Sequence, residues 1–299
     1  MNRDALPPLH LLLAVAIVAV WGVNFVVTKA ALDVLPPLTL AALRFTVALI
    51  PAVFFLKRPD APWRNLAAYG LLIGVGQFGL IFIAMRGHIS PGLASLVAQM
   101  QVFFTIGLAV AISGERLRAF HLLALALAGA GLGWLMLHGG GEATPLGLAL
   151  TLLSAAAWAG GNVVTRATPK ANMLAYVVWA SLFSAPPLFA LALLFEGWTA
   201  VSQSVAHASP ATWAAVVWQA WGNTLFGYGM WAWLLARHPA ATISPLSLLV
   251  PVFGMGASAL LLNEPLQPWK LTAAALVLGG LAVNMIGPRL ADRRAAVAA

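Results

Sequence analysis

The feature that most constrains this chain is a succession of ten apolar segments, each about 20 residues long, the length that crosses the ~30 Å hydrocarbon core of a bilayer. Hydrophobic residues make up 62% of the sequence and charged residues only 8%, against roughly 25% charged residues in soluble domains. We therefore predict an all-α integral membrane protein. Its ten transmembrane helices are expected near residues 9–29, 37–57, 65–85, 91–112, 118–137, 145–165, 172–195, 211–235, 241–262 and 269–287.

The basic residues predict the orientation of these helices. Of the 16 Lys and Arg residues, 12 fall on one side of the membrane if the N-terminus is cytoplasmic, and three (Lys29, Arg86 and Lys270) fall on the other. This bias follows the positive-inside rule, so both termini are predicted to be cytoplasmic. The net charge of +8 is then an orientation signal and does not indicate nucleic-acid binding.

A motif in the first predicted helix indicates an internal duplication. Trp21-Gly-Val-Asn24-Phe-Val-Val-Thr28-Lys29 returns 137 residues later as Trp158-Ala-Gly-Gly-Asn162-Val-Val-Thr165-Arg166. In each copy the Trp, Asn and Thr share one helical face. The repeat spans five helices, an odd number, so the second copy must enter the membrane with the opposite orientation. We predict a five-plus-five inverted repeat, with the first unit at residues 1–140 and the second at 141–299.

Two further pairs of motifs support the duplication. Gly114-Glu115-Arg116-Leu117 precedes the fifth helix and Asn263-Glu264-Pro265-Leu266 the tenth, while Ile89-Ser90-Pro91 opens the fourth helix and Ile243-Ser244-Pro245 the ninth. Prolines within helices are expected to break them and to act as hinges beside a central site, although proline is also common in membrane helices without such a role. The predicted hinge or gating residues are Pro51, Pro186, Pro187, Pro245 and Pro251.

Ionisable residues are nearly absent from the predicted spans. All eight acidic residues fall in loops or tails, so no buried carboxylate is available to carry a proton. Arg44 is the one clear charge within a span, and it either binds an anionic group or holds helices together. The six histidines lie near helix ends or in loops without metal-ligand spacing, and there is no cysteine. We expect no metal, no cofactor and no enzymatic activity.

The interior polar residues are instead neutral. Amides are costly in a bilayer unless they face a partner or a wet cavity; interhelical hydrogen bonding is the alternative explanation. Gln219 and Asn223, four residues apart, share one face of the eighth helix, and Trp21 and Trp158 lie near the membrane midplane. The residues predicted to line a central substrate cavity are Trp21, Asn24, Thr28, Gln77, Phe78, Ser95, Gln99, Gln101, Trp158, Asn162, Thr165, Asn223, Tyr228, Trp231 and Ser244.

The ten helices, the duplication, the Trp-Gly-x-Asn-Phe motif and the paired Glu-containing motifs together resemble the EamA-type exporters of the drug/metabolite transporter superfamily. Within that group the chain is most like the YddG-type exporters of aromatic and other neutral amino acids. The resemblance implies a basket in which helices 1–4 and 6–9 line a cavity and helices 5 and 10 stay peripheral. It also implies alternating access, with Trp21, Asn24, Trp158 and Asn162 as cavity residues.

The function expected from these observations is export of neutral, mainly aromatic and other apolar amino acids across a bacterial inner membrane, uncoupled from protons. Export of hydrophobic drugs or other neutral metabolites is the alternative. An intramembrane enzyme would need a nucleophile with a base or a metal site, and a passive scaffold has no need of a polar midplane. The expected partners are a small-molecule substrate and the lipid bilayer, with no nucleic acid, and the chain is expected to be a monomer.

Overall fold

The computed structural model describes residues 6–113, 118–168 and 171–298, apart from the side chains at 113, 240, 241 and 288–298. This part of the chain is built from ten main helical segments. They are α1 (Pro8–Leu32), α2 (Pro37–Phe55), α3 (Trp63–Met85), α4 (Pro91–Ile112), α5 (Ala119–His138), α6 (Pro145–Arg166), α7 (Met173–Phe195), α8 (Pro210–Val217, Trp218–Phe226 and Gly227–Leu235), α9 (Ser244–Leu261) and α10 (Pro268–Ala298). A short helix, Trp198–Ala206, connects α7 to α8. The prediction of an all-helical membrane protein is confirmed.

Nine helices in the described residues are long and apolar enough to cross a bilayer. The segment that falls outside this set is α8, although its three parts follow one another without a break over residues 210–235. It contains Gln219, Asn223 and five tryptophans, and these residues lower its mean hydropathy. The tenth membrane span therefore stays a prediction.

Proline and short polar side chains define where most helices begin. Proline is the first residue of six of them, where its missing N–H has no intrahelical acceptor in any case: Pro8, Pro37, Pro91, Pro145, Pro210 and Pro268. Thr144, Asn172 and Ser209 precede α6, α7 and α8, and each side-chain oxygen accepts a hydrogen bond from the backbone N–H three residues later. These caps satisfy backbone donors that a helix leaves free at its N-terminus.

The contacts between helices are the same for both halves: a contact made by a helix of the first five is repeated by its counterpart among the last five. Helix α1 packs against α8 and α9, and its counterpart α6 packs against α3 and α4. Helix α2 packs against its own counterpart α7, and α5 packs along α10. Each half thus supplies the neighbours of the other, as expected of a two-repeat architecture.

A wide turn occurs at the same place in both halves. Leu71–Gly79 in α3 and Trp218–Phe226 in α8 are π-helical, and each follows eight residues of α-helix. A π-helix pairs residues five apart instead of four, and such turns are often found at functional sites. The two wide turns change which side chains lie above one another in α3 and α8.

The prolines predicted as hinges behave differently from one another. Helix α2 is interrupted at Ile50 and Pro51, as predicted, and resumes at Ala52. The prediction that Pro186 and Pro187 break the seventh helix is wrong, because α7 is continuous from Met173 to Phe195. Each proline removes only one backbone donor, and the bilayer offers the rest of that backbone no partner outside the helix.

Pro245 and Pro251 both lie near the start of α9. Pro245 belongs to the 3₁₀ turn Ser244–Leu248, and Pro251 lies in the first turn of the α-helical part that begins at Leu249. A proline in a first turn costs no intrahelical hydrogen bond. Neither residue interrupts α9, and their gating role stays a prediction.

Glutamates of the second half cap helices of the first half at the predicted outer face, where α1 ends and α2 begins. Glu196 accepts hydrogen bonds from the backbone N–H groups of Leu38 and Thr39, at 2.6 and 3.0 Å. Glu264 accepts from Ser90 Oγ at 2.6 Å and from the backbone N–H of Gly92 at 3.3 Å. These carboxylates satisfy donors at the N-termini of α2 and α4 and favour the positive ends of their dipoles.

Glu264 also belongs to a buried ion-pair network. The ammonium of Lys270, a fully buried side chain at the start of α10, lies 3.1 Å from Glu264 Oε1 and also pairs with Glu142. The Glu-containing motif before α10 therefore has a structural role. The matching motif before α5, Gly114–Leu117, lies outside the described residues.

We predict that Gly22→Ala destabilises the contact between α1 and α9. A Cβ atom at Gly22 would lie 2.5 Å from Phe253 Cβ and 2.7 Å from the carbonyl oxygen of Val250, and overpacking of this kind costs about 1–3 kcal/mol. The midpoint of thermal unfolding in detergent, followed by tryptophan fluorescence, should fall. The matched control is Gly256→Ala on α9, where a Cβ meets no atom within 4 Å. Equal midpoints for the two variants would contradict the packing argument.

Candidate functional site

An aromatic cluster joins α1 to α8 around Trp21. The Trp21 ring centroid lies 5.7 Å from that of Tyr228 and 5.2 Å from that of Trp231, and its Nε1–H donates to the carbonyl oxygen of Asn223 at 3.2 Å. A Cβ atom at Gly227 would overlap the indole, so this position has room only for glycine. The tryptophan is half-buried and held in one orientation. Three of the predicted cavity residues are therefore in contact.

A chain of side-chain hydrogen bonds continues from α1 through α8 to α2. The Asn24 amide donates to Thr28 Oγ1 at 3.4 Å, and the Thr28 hydroxyl donates to Gln219 Oε1 at 3.5 Å. The Thr224 hydroxyl donates to the carbonyl oxygen of Gln219 at 2.9 Å and accepts from Arg44 Nη2 at 2.9 Å. All five side chains are buried. We call these five residues the Arg44 network.

Arg44 is fully buried and has few partners. Its guanidinium carbon lies 3.7 Å from the centre of the Phe78 ring, an arrangement that stabilises a cation. Thr224 Oγ1 accepts its one hydrogen bond, and Arg44 Nε and Nη1 have no acceptor among the described residues. A buried charge normally has a counter-ion or several hydrogen bonds. The described part of the chain supplies no carboxylate to Arg44.

Three members of the Arg44 network lie at a similar depth in the membrane. Asn24 is eight residues from the end of α1, Arg44 is seven from the start of α2, and Gln219 is nine from the start of α8. At 1.5 Å per residue these positions are about 10–14 Å from the predicted outer face. That depth is well inside a hydrocarbon core of about 30 Å.

Other buried polar atoms, on two members of the Arg44 network and on the residue before Phe78, also lack partners among the described residues. They are Asn24 Oδ1, Gln219 Nε2 and, on α3, Gln77 Oε1. Most buried polar atoms in proteins are hydrogen-bonded, so a group of exceptions in one region needs an explanation. Here the exceptions include both donors and acceptors.

A second polar cluster joins α6 to α4, and we call it the Asn162 cluster. The Asn162 amide donates to Gln101 Oε1 at 3.1 Å and to Thr105 Oγ1 at 3.3 Å, and the Thr165 hydroxyl donates to the carbonyl oxygen of Asn162. Asn162 is four residues from the end of α6 and therefore closer to the predicted inner face. Its members are half-buried and uncharged, as is Trp158 one turn away.

Three predicted cavity residues lie outside the two polar clusters, and their place in a cavity stays a prediction. The Ser95 hydroxyl donates to the carbonyl oxygen of Gly92, and Ser95 lies where a Cβ on Gly254 of α9 would overlap it. Gln99 is buried in the 3₁₀ turn of α4, and Ser244 accepts from the Ser247 hydroxyl through its carbonyl. These three residues are not hydrogen-bonded to either polar cluster in the described structure.

Sequence reasoning missed Thr224 because of the wide turn in α8. In a regular α-helix, residues five apart are separated by about 140° around the axis, so Thr224 would not lie over Gln219. Within the π-helical turn the Thr224 hydroxyl reaches the Gln219 carbonyl and, beyond it, Arg44. Thr105 was missed as well, although it lies four residues after Gln101, and this spacing could have identified it. No group of three or more side chains suited to a metal ion occurs in the described residues.

The sequence is similar to a family of transporters over both halves. The profile of the EamA-like transporter family matches residues 8–137 and 145–286. Two relatives carry the name "Probable amino-acid metabolite efflux pump". The protein from Salmonella typhimurium is 40% identical over 284 residues and that from Escherichia coli 39% over 283, and each alignment covers 93% of this chain and 95% of the relative.

A third relative and a solved structure extend the comparison. The "Uncharacterized inner membrane transporter YedA" of Escherichia coli is 30% identical over 182 residues, which is 58% of this chain and 58% of the relative. A crystal structure with 22% sequence identity superimposes with a TM-score of 0.66, covering 93% of this chain and 97% of its own. At this identity the structural match shows that the fold is shared.

We predict that Thr224→Val lowers stability by about 1–3 kcal/mol, because Arg44 loses its one hydrogen bond while remaining buried. The thermal unfolding midpoint should fall by about 2–6 °C. The matched control is Thr272→Val on α10, where the hydroxyl is exposed and bonds only its own helix. If the two variants unfold at the same temperature, Thr224 does not stabilise Arg44.

Proposed function

Because this chain belongs to the EamA-like transporter family, we propose that it is a membrane carrier that exports amino acids or closely related metabolites from bacterial cells. The observation that carries the proposal is the 40% identity, over 93% of the chain, to a protein named as an amino-acid metabolite efflux pump. The chain is a multi-pass protein of the bacterial inner membrane.

We further propose that the substrates are neutral amino acids, mainly those with aromatic or other apolar side chains. An α-amino acid carries equal and opposite charges, and neutral hydrogen-bonding groups predominate inside this membrane domain. The cluster of Trp21, Tyr228 and Trp231 offers ring faces to an apolar side chain. The Asn162 cluster, with Trp158 beside it, supplies a second polar surface.

We propose that transport proceeds by alternating access. The two halves, residues 1–140 and 141–299, move against each other and expose the substrate region to one side of the membrane at a time. The interruption of α2 at Pro51 and the prolines at the start of α9 are the candidate flexible points. No carboxylate of the described residues lies within a span to bind and release a proton, so the substrate gradient alone drives movement in this proposal.

We predict counterflow of neutral amino acids in proteoliposomes. Vesicles loaded with unlabelled amino acids should take up labelled Phe, Trp, Leu and Met well, Thr less and Lys poorly. Trp21→Ala should reduce uptake of Phe and Trp more than that of Thr, because it removes a ring of the aromatic cluster. Asn162→Ala should reduce uptake of the whole panel.

The control for this experiment is Trp198→Ala, which changes an exposed tryptophan on the short surface helix. A folded protein that exchanges none of the amino acids would contradict the proposed function. Uptake of hydrophobic drugs by the same vesicles would then support the alternative substrate class. Exchange of neutral amino acids without preference for apolar side chains would contradict only the role of the aromatic cluster.

We also predict that transport is independent of the proton gradient. Initial rates of uptake, measured in well-buffered vesicles with the membrane potential clamped, should be the same with and without an imposed pH difference. The physical reason is that the spans contain no acidic residue in the part of the chain that the structure describes. A severalfold acceleration by an imposed proton gradient would show that another group couples transport to protons.

A further inference from the structure

Arg44 carries a positive charge that the described part of the protein leaves unbalanced. The five acidic residues with described side chains lie at helix ends or in loops: Asp33, Asp60, Glu142, Glu196 and Glu264. None of them forms an ion pair with Arg44. The Phe78 ring and the Thr224 hydroxyl offset the cost of burial only in part, because both are uncharged.

A purely structural arginine would use its guanidinium differently. Five N–H donors on three nitrogens commonly bond several backbone carbonyls or a carboxylate. At Arg44, two of the three nitrogens are fully buried without an acceptor, in a membrane where water does not compete. This pattern fits a group that receives its acceptor from outside the chain.

We propose that Arg44 binds the carboxylate of the transported amino acid within the membrane. A guanidinium matches a carboxylate with charge-assisted, often paired, hydrogen bonds. This inference rests on the proposed function, because it assigns one group of that substrate to one residue. It makes Arg44 a specificity-determining residue for carboxylate-bearing solutes.

The surrounding groups suit the rest of an α-amino acid. The unpaired acceptors Asn24 Oδ1 and Gln77 Oε1 are of the kind that an ammonium group requires, and Gln219 Nε2 is a further free donor for the carboxylate. The aromatic cluster around Trp21 shares α1 and α8 with the Arg44 network. Arg44 adds no attraction for a neutral drug, and it repels a cationic one.

The experiment compares ligands that differ only at the carboxylate. Phenylalanine and phenylalaninamide, and likewise leucine and leucinamide, compete for counterflow of labelled phenylalanine or leucine in proteoliposomes. In the wild-type protein the amino acid should compete at least about tenfold better than its amide, the size expected for one charge-assisted hydrogen bond. In Arg44→Gln this ratio should fall to about one, and in Arg44→Lys it should be partly retained. Arg64→Gln, at an exposed position at the start of α3, is the matched control and should keep the wild-type ratio.

The outcomes separate this inference from the proposed function. If the wild-type protein exchanges no amino acid, the proposed function is contradicted before any variant is made. If it does exchange them, and folded Arg44→Gln keeps the wild-type ratio, only the assignment to Arg44 is overturned.

Ligand-induced stabilisation keeps the inference testable if Arg44→Gln does not fold. The thermal unfolding midpoint of the purified wild-type protein should rise with phenylalanine or leucine and not with the corresponding amide. In Thr224→Val, which releases the guanidinium from its tether, the difference between acid and amide should shrink. Equal stabilisation of the wild-type protein by acid and amide would overturn the inference.

Discussion

The absence of water from the hydrocarbon core is the constraint on which this structure depends. Every backbone donor and acceptor within the bilayer must find its partner inside the protein, and this chain meets the requirement with helices. Side chains obey the same rule. The hydroxyls of Thr46, Thr151 and Ser181 each donate to the backbone carbonyl four residues earlier. These polar residues therefore cost little in the spans.

Against this background, the two halves share a plan but differ in their chemistry. The Arg44 network and the Asn162 cluster both involve the repeated Asn of α1 and α6. The first is buried, charged and incompletely bonded, while the second is half-buried and neutral. A carrier with two identical halves would treat both sides of the membrane alike. With the role proposed for Arg44, this asymmetry becomes a difference in affinity for an anionic group, which is stronger nearer the predicted outer face.

Much of the fold could be predicted from the sequence because a membrane helix is recognised from length and composition alone. The repeated motif also located both polar clusters, since Trp21 and Thr28 of the first copy donate to α8 and Asn162 of the second copy donates to α4. What the sequence could not supply was the local backbone: the wide turn that brings Thr224 to Arg44, and the uninterrupted course of α7 through Pro186 and Pro187. Helical periodicity assumes 3.6 residues per turn, and it cannot tell a proline that breaks a helix from one that does not.

The glutamate caps at the predicted outer face have a consequence for the order of synthesis. Residues are added from the N-terminus, so α2 and α4 exist before Glu196 and Glu264 have been made. Until the second half arrives, the free N–H groups at the start of these two helices have only water and lipid headgroups as partners. The first half therefore reaches its final arrangement only after α7 and the segment before α10 have been translated. Nascent chains that end between these two glutamates would have one cap in place and the other still missing.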